Sequence, residues 1–579
     1  MKRKRWLGLL LATAMMLALL PMTAFAAPTQ VYMGGGYLSD GANSVGGGTA
    51  TLDVTQNTLT LENVSVTDYI WINSDSAFTI IAKGTNAVGT ADAPVSGSAL
   101  WSENVPTLNI NVESGAELGL YAGSGNGLYL PNGVANISGP GKLIASAEYP
   151  AIFTKGDLNL NGGLQAEIIS DSNGIQVSKG NINIENAKLT VDAYYVALFA
   201  QMYDEITDAD IPSAVTMKNS TVSLTTGERQ GVYCGSGGIL VEDTVLTTKT
   251  DKEIYAEGYS LYSYGDITIK GDDTVINADD DCGIAADDGV LRIEGGKIDV
   301  RSTDVALTGW YGVEITGGTI SASAEEGAAV LATEGLVQIK GADTKLTATS
   351  NSSDTAAISN GITGGILLDA DITAKNTANY TPIEGKNKDK SVAIALGAGV
   401  GAVNINGQTT GDVVVYNEAD TKFSYFILAD GESTDAVLDT VKICKHTWGA
   451  PVWSWNAEHT AASALFTCTK DAGHTAKVDG TITALTTAAT CGSDGSTVYT
   501  ATATFNGSAY TDEKTVSIPA TGAHHYVDGT CTVCGAEEKT ETDVPKTGDA
   551  SNPALWTALA LFAAGAFGIT FYGRRKEVK

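Results

Sequence analysis

The chain has 579 residues, a formal net charge of −31, 43 % hydrophobic and 7 % aromatic residues, 66 glycines and 13 prolines. An acidic surface of this kind repels nucleic acid and anionic lipid, stays soluble and favours cations such as calcium. The length leaves room for two or three domains, and the Gly-rich, Pro-poor mixture with β-branched residues throughout suits an all-β repeat protein better than disorder.

Residues 1–26 read as a secretory signal peptide. Lys2, Arg3, Lys4 and Arg5 form a charged start, an apolar run extends from Trp6 to Leu20, and Ala24-Phe25-Ala26 supplies a small-x-small cleavage site. An N-terminal membrane anchor is the alternative, and the shortness of the run argues against it. The signal peptide carries +4 and the segment after Thr547 carries +2, which leaves −37 on the chain between them.

Residues 27–440 are organised by a repeat. Each unit has a run of alternating apolar residues, a Gly- or Asn-containing turn and a second alternating run. Units open at Gly156, Gly180, Ser213, Gly237, Gly265, Gly289, Tyr311, Gly335 and Gly364, most often 24 residues apart. That period fits one coil of a β-solenoid. Period-2 alternation points Leu158/Leu160, Ile182/Ile184, Ile267/Ile269, Leu291/Ile293 and Val313/Ile315 inward. One coil cannot bury that face alone, but about nine or ten stacked coils can, in a rod on the order of 45 Å long. A third short segment, GLYL near Gly127 or GIQV near Gly174, gives three strands per coil, the layout of a right-handed parallel β-helix. Thr51 to Gly89 carries the same alternation and reads as the start of the stack, and Met202 to Ile211 reads as an insertion off one edge.

The opening NTLTLENVSV and the coils GIQVSKGNINIENAKLTV and GIAADDGVLRIEGGKIDV resemble carbohydrate-binding β-helix proteins of Gram-positive gut and cellulolytic bacteria. The resemblance covers Thr51 to Thr377 and implies binding of polysaccharides, often acidic and often with calcium. Asp279, Asp280, Asp281, Asp287 and Asp288 are the candidate calcium ligands, since hard carboxylate oxygens on turns suit Ca²⁺. A solvated acidic edge is the plainer alternative. Tyr255, Tyr259, Tyr262, Tyr264, Trp310 and Tyr311 are the candidate glycan face, where a sugar can lay its C–H face on a ring. Parallel β-helices also host polysaccharide lyases and glycoside hydrolases. No catalytic block is visible, and Arg229, Arg292 and Arg301 are the only arginines between the signal peptide and the tail. A purely structural rod is the third reading.

Residues 441–536 form a Cys/His-containing β module, expected to be sandwich-like. All five histidines of the chain and five of its seven cysteines fall there. The run HTWGAPVWSWNAEHTAASALFTC resembles a short repeat module of Gram-positive surface proteins, which implies a spacer or stalk. Cys444 and His446 with Cys468 and His474 offer one Cys₂His₂ zinc set. Cys531 and Cys534 with His524 or His525 offer three ligands of a second. Disulfides are the rival reading outside the cell.

Residues 537–543 read as a flexible tether. Residues 544–579 hold Val544, Pro545, Lys546, Thr547 and Gly548, then a transmembrane helix over 554–572, then Arg574, Arg575 and Lys576. This order resembles the Gram-positive cell-wall sorting signal, with Val544 in place of the usual Leu. The resemblance implies cleavage between Thr547 and Gly548 by a sortase and transfer of the Thr547 carbonyl to peptidoglycan. The membrane would then be a partner only before sorting.

Overall fold

The computed structural model describes residues 29–539 except 201, 205–208, 251–257, 362, 388–392, 405–412, 418–422 and 429–437. The signal peptide, Tyr255 and the sorting signal from Val544 to Gly548 lie outside the described residues. All regular structure among the described residues is strand, and none of it is helix. The chain divides into two compact units, Met1–Thr447 and Trp448–Lys579.

The first unit is a parallel β-solenoid. A representative coil runs Ile152–Thr154, Leu158–Leu160, Gln165–Ser170. The next runs Ile175–Val177, Ile182–Glu185, Lys188–Ala193. Parallel pairing sets Ile152 opposite Ile175, Leu158 opposite Ile182 and Gln165 opposite Lys188. Each coil therefore has a short face, a second face and a third face. The short face has thirteen rungs, from Ile70–Asn73 to Ile383–Lys386. This is more than the nine repeats that open from Gly156 to Gly364, because the rungs at Ile70–Asn73, Leu100–Ser102 and Leu128–Leu130 precede them and Ile383–Lys386 follows.

The ten inward positions expected from alternation are all buried. They join one continuous apolar interior running from Val31 to Ile443. Turns use left-handed residues where the chain must bend sharply. Asn186 is at φ 51° between the second and third faces, and Gly162 and Gly163 are at 71° and 84° at the same turn one coil earlier. From Val290 onward the two faces fuse into long strands such as Val290–Ser302 and Gly312–Ala324, with a register shift around Glu294 where the turn would be.

Antiparallel strands close both ends. Gly48–Asp53 pairs antiparallel with Thr58–Glu62, which is the first strand of the second face and pairs in parallel with Phe78–Lys83. The stack therefore begins at Thr58 rather than at Thr51. At the other end Thr440–Lys445 pairs antiparallel with Ile366–Asn376, and Phe423–Leu428 with Ile383–Lys386. Such caps use up edge groups that would otherwise template further pairing. The insertion at Met202–Ile211 is a small antiparallel ribbon, Met202–Asp204 with Ala209–Ile211.

The second unit contains a five-stranded antiparallel meander: Val452–Trp455, Ala462–Thr467, Thr475–Thr487, Gly495–Phe505 and Ser508–Ile518. It is one sheet among the described residues, not the two of a sandwich. Ala464, Phe466 and Ala503 form its small buried apolar cluster, with Phe505 stacked on Phe466 at 4.2 Å between ring centres. A hairpin follows, Tyr526–Val527 with Thr530–Cys531.

Candidate functional site

The short face of the solenoid carries an aromatic strip. In its three-residue strands the outer residues point inward and the middle one outward. Parallel register then stacks the middle residues. Trp71, Trp101, Tyr129 and Phe153 lie on consecutive rungs, Gln176 interrupts, and Phe199, Tyr233 and Tyr262 continue. The strand spacing of about 4.8 Å is nearly the distance at which rings stack. Phe199–Tyr233 and Tyr233–Tyr262 accordingly stack at 5.2 and 5.3 Å, only 14° and 15° from parallel. Rings stacked this closely cover one another's faces and turn their edges outward. The stack ends where Ala285 follows Tyr262 on the next rung.

At that end, the turns leaving the short face bring together side chains that the sequence places far apart. Tyr264, the pair Asp287 and Asp288, and the pair Trp310 and Tyr311 lie on three successive turns. Backbone bonds lock the turns in register: Asp287 N donates to Ser263 O at 2.8 Å and Trp310 N to Ala286 O at 2.9 Å. The Tyr262 hydroxyl donates to Asp287 at 2.7 Å. Burial, and then Asp287, push the Tyr262 phenol well above its ordinary range. Asp288 accepts from the Tyr311 hydroxyl and raises that phenol as well. Tyr264, Trp310 and Tyr311 are 37 %, 37 % and 54 % exposed, enough to meet a ligand. Tyr259 is half-buried in its strand, next to Cys282, and burial raises its phenol.

The five candidate calcium ligands do not converge. Strand alternation turns Asp279 outward and Asp280 into the interior, and Asp281 is buried at the following turn. Asp287 and Asp288 lie across the next short strand. Among the described residues no three of these carboxylates gather into a ligand set. Asp280 accepts from the hydroxyls of Thr248, at 2.7 Å, and Ser260. Burial raises its carboxyl above the usual range. Two of the three arginines are engaged in ion pairs, Arg292 with Asp266 and Glu314, and Arg301 with Asp299.

In the second unit, Cys and His side chains come close enough to hold a metal ion. The donor atoms of Cys491, His524, Cys531 and Cys534 all lie within 4.8 Å of one another. The Sγ atoms of Cys491 and Cys531 are 3.4 Å apart, and Cys534 Sγ is 3.3 Å from His524 Nδ1. The backbone amides of Cys534 and Val533 lower the Cys531 thiol to about 5, while Cys534 and Cys531 push the adjacent Cys491 thiol up to about 12. Cys491 has no ligand spacing to announce it, being 40 residues from Cys531. It reaches the cluster because Gly522 N donates to Cys491 O at 3.2 Å and Thr521 N to Thr490 O at 3.0 Å.

The other sequence candidates are Cys444, His446, Cys468 and His474. Cys444 and His446 lie on and just after the last strand of the solenoid unit. Cys468 and His474 belong to the second unit, where Cys468 N donates to His474 O at 2.9 Å. No protein-family model matches the chain, and comparison with curated proteins and with solved structures returns no significant match.

Proposed function

We infer that this is an exported, wall-anchored surface protein whose β-solenoid binds polysaccharide or host glycan without cleaving it. Anchoring rests on the order of the sequence features: a signal peptide, then Val544-Pro545-Lys546-Thr547-Gly548, an apolar run and a basic tail. In this reading a sortase and peptidoglycan are the partners at the C-terminus.

Glycan binding is carried by one observation, the juxtaposition of Tyr264, Asp287, Asp288, Trp310 and Tyr311 on successive turns. Exposed rings supply flat apolar surface for a sugar's C–H face. The adjacent carboxylates accept hydrogen bonds from its hydroxyls, and such charge-assisted bonds are strong. A regular array on a rod also suits an extended, repeating ligand. The stacked Phe199–Tyr233–Tyr262 rings favour the second reading, a structural rod, because stacking of this kind stabilises the coil whatever binds it.

A glycan array probed with residues 27–547, with and without calcium and scored for released sugar, tests the proposal. Binding without product supports it. Unsaturated or newly reducing sugar ends would make the protein an enzyme, and silence toward all glycans would favour the rod. Loss of surface display on Pro545→Ala or Thr547→Ala, with release of the protein into the medium, is the expected result for wall anchoring.

A further inference from the structure

The cluster of Cys491, His524, Cys531 and Cys534 comes from three separate stretches of chain, and each has a reason to be where it is. Cys531 and Cys534 flank a tight turn, closed by Gly535 N donating to Cys531 O at 2.9 Å, with Gly535 at φ 76°. A side chain at Gly535 would be strained there. The hairpin leading into this turn reverses at Asp528 and Gly529, at φ 49° and 77°. That is the left-handed pair that suits a two-residue hairpin loop. It places Tyr526 opposite Cys531. His524, just before it, stacks on Tyr526 at 5.5 Å, which orients the imidazole toward Cys534. Cys491 is supplied from the turn before Gly495–Phe505. The chain at residues 520–522 bonds to that turn three times, including Ala520 N to Asp494 at 2.7 Å.

The spacing of the donors decides between cross-links. A disulfide needs sulfurs about 2.05 Å apart and uses two of the four groups. All seven cysteines of the chain are thiols. Tetrahedral zinc with Zn–S bonds of about 2.3 Å sets its sulfurs about 3.8 Å apart, and its sulfur and nitrogen slightly closer. The observed 3.4 Å between Cys491 and Cys531, and 3.3 Å between Cys534 and His524, lie near those edges and far from a bond. Three thiolates and one imidazole at the corners of a small closed set are the ligands of a structural zinc site rather than of a hard cation.

We propose that Cys491, His524, Cys531 and Cys534 form a structural zinc site that ties the C-terminal hairpin to the strand-entry turn of the meander. The unit needs such a tie. After Ile518 the only regular pairing among the described residues is the two-residue hairpin. Nearly every residue from Pro519 to Lys539 is exposed or half-buried, Cys531 being the buried exception. No apolar core holds this segment, so the ion would do so. The site is also the last described element before the expected sorting signal. Zinc there fixes the end of the folded protein from which the tether departs. Cys534 is the exposed ligand and gives a chelator its entry.

The test uses residues 27–547 purified under reducing conditions and loaded with zinc, or with cobalt as a spectroscopic substitute. The expected result is that Cys491→Ser and Cys534→Ser each lose one equivalent of zinc relative to the parent, while His525→Ala loses none. His524→Cys, which keeps four donors, should retain the metal and intensify the thiolate-to-cobalt absorption. It keeps the question answerable if the serine variants misfold. Unchanged zinc content in Cys491→Ser, or a disulfide involving Cys491 with no cobalt absorption in the reduced protein, would overturn the site.

Discussion

The solenoid and the second unit are built from the same kind of strand, yet they are held together differently. In the solenoid, each coil adds inward residues to an interior that already exists. A short strand such as Leu158–Leu160 is stable because coils above and below pair with it. In the second unit the strands reach 13 residues, as long as Val290–Ser302 of the solenoid, but its apolar core is a small cluster around Ala464, Phe466 and Ala503. Its sheet is half-solvated, and its last segment has no apolar partner. The difference teaches that strand length says little about stability. What matters is how many faces of each strand are covered, and where coverage runs out, a cross-link of another kind has to replace it.

The largest expected effect would separate the two units outright. Removing metal from the reduced chain with a chelator should unfold the hairpin that carries Tyr526 to Gly535 and leave the solenoid intact. Structural zinc in small domains is worth about 10 kcal/mol or more of folding free energy. Hydrogen exchange, read segment by segment, should lose protection only after Thr490. Loss of protection in the solenoid as well would break the comparison.

A core truncation in the solenoid comes next. Ile184→Ala removes a fully buried side chain between Leu160 and Met217 of the neighbouring coils. It should cost about 2–5 kcal/mol, insensitive to chelator. Calorimetry with and without metal measures both parts of that statement.

Outward positions should matter less for stability and more for binding. Trp310→Ala should weaken glycan binding by about 2 kcal/mol, as for an aromatic anchor, and leave the solenoid's melting unchanged. Asn159→Ala probes a ladder on the second face, in which Asn159 donates to Asn136 at 2.7 Å and accepts from Asn183 at 2.8 Å. It should cost about 1 kcal/mol.

A pH effect should come from Asp280. Burial raises its carboxyl in the folded state, so folding favours the protonated form. Its contribution to stability is complete below the unfolded carboxyl value of about 4 and is lost as pH rises through the folded value. Asp280→Asn should therefore gain stability relative to the parent as pH rises above about 4. A difference in melting temperature that stays flat between acid and neutral pH would contradict this.

Most of the solenoid was legible because its interior obeys a rule of period two that any apolar alternation reveals. The short face was legible too, in segments such as GLYL near Gly127, but its aromatic strip was not. The middle letters of those segments become a strip only when the register aligns them. Asp279 and Asp280 could have been separated by the same alternation, since neighbours in a strand face opposite ways. The caps were hidden because antiparallel and parallel strands share one hydrophobic pattern. Cys491 was hidden for a different reason. Its neighbours in space come from residues 524–534, and donors that only folding brings together leave no spacing to read.

The proposed glycan site lies at the turns of Tyr264, Asp287–Asp288 and Trp310–Tyr311. Its most direct test is a titration of the best array ligand into residues 27–547 and into the Trp310→Ala, Tyr311→Ala double variant. A site at these turns predicts at least about a tenfold loss of affinity with unchanged folding, and a comparable loss for Asp287→Asn with Asp288→Asn. Equal affinity for parent and variants would contradict the site and leave the aromatic strip as part of the framework.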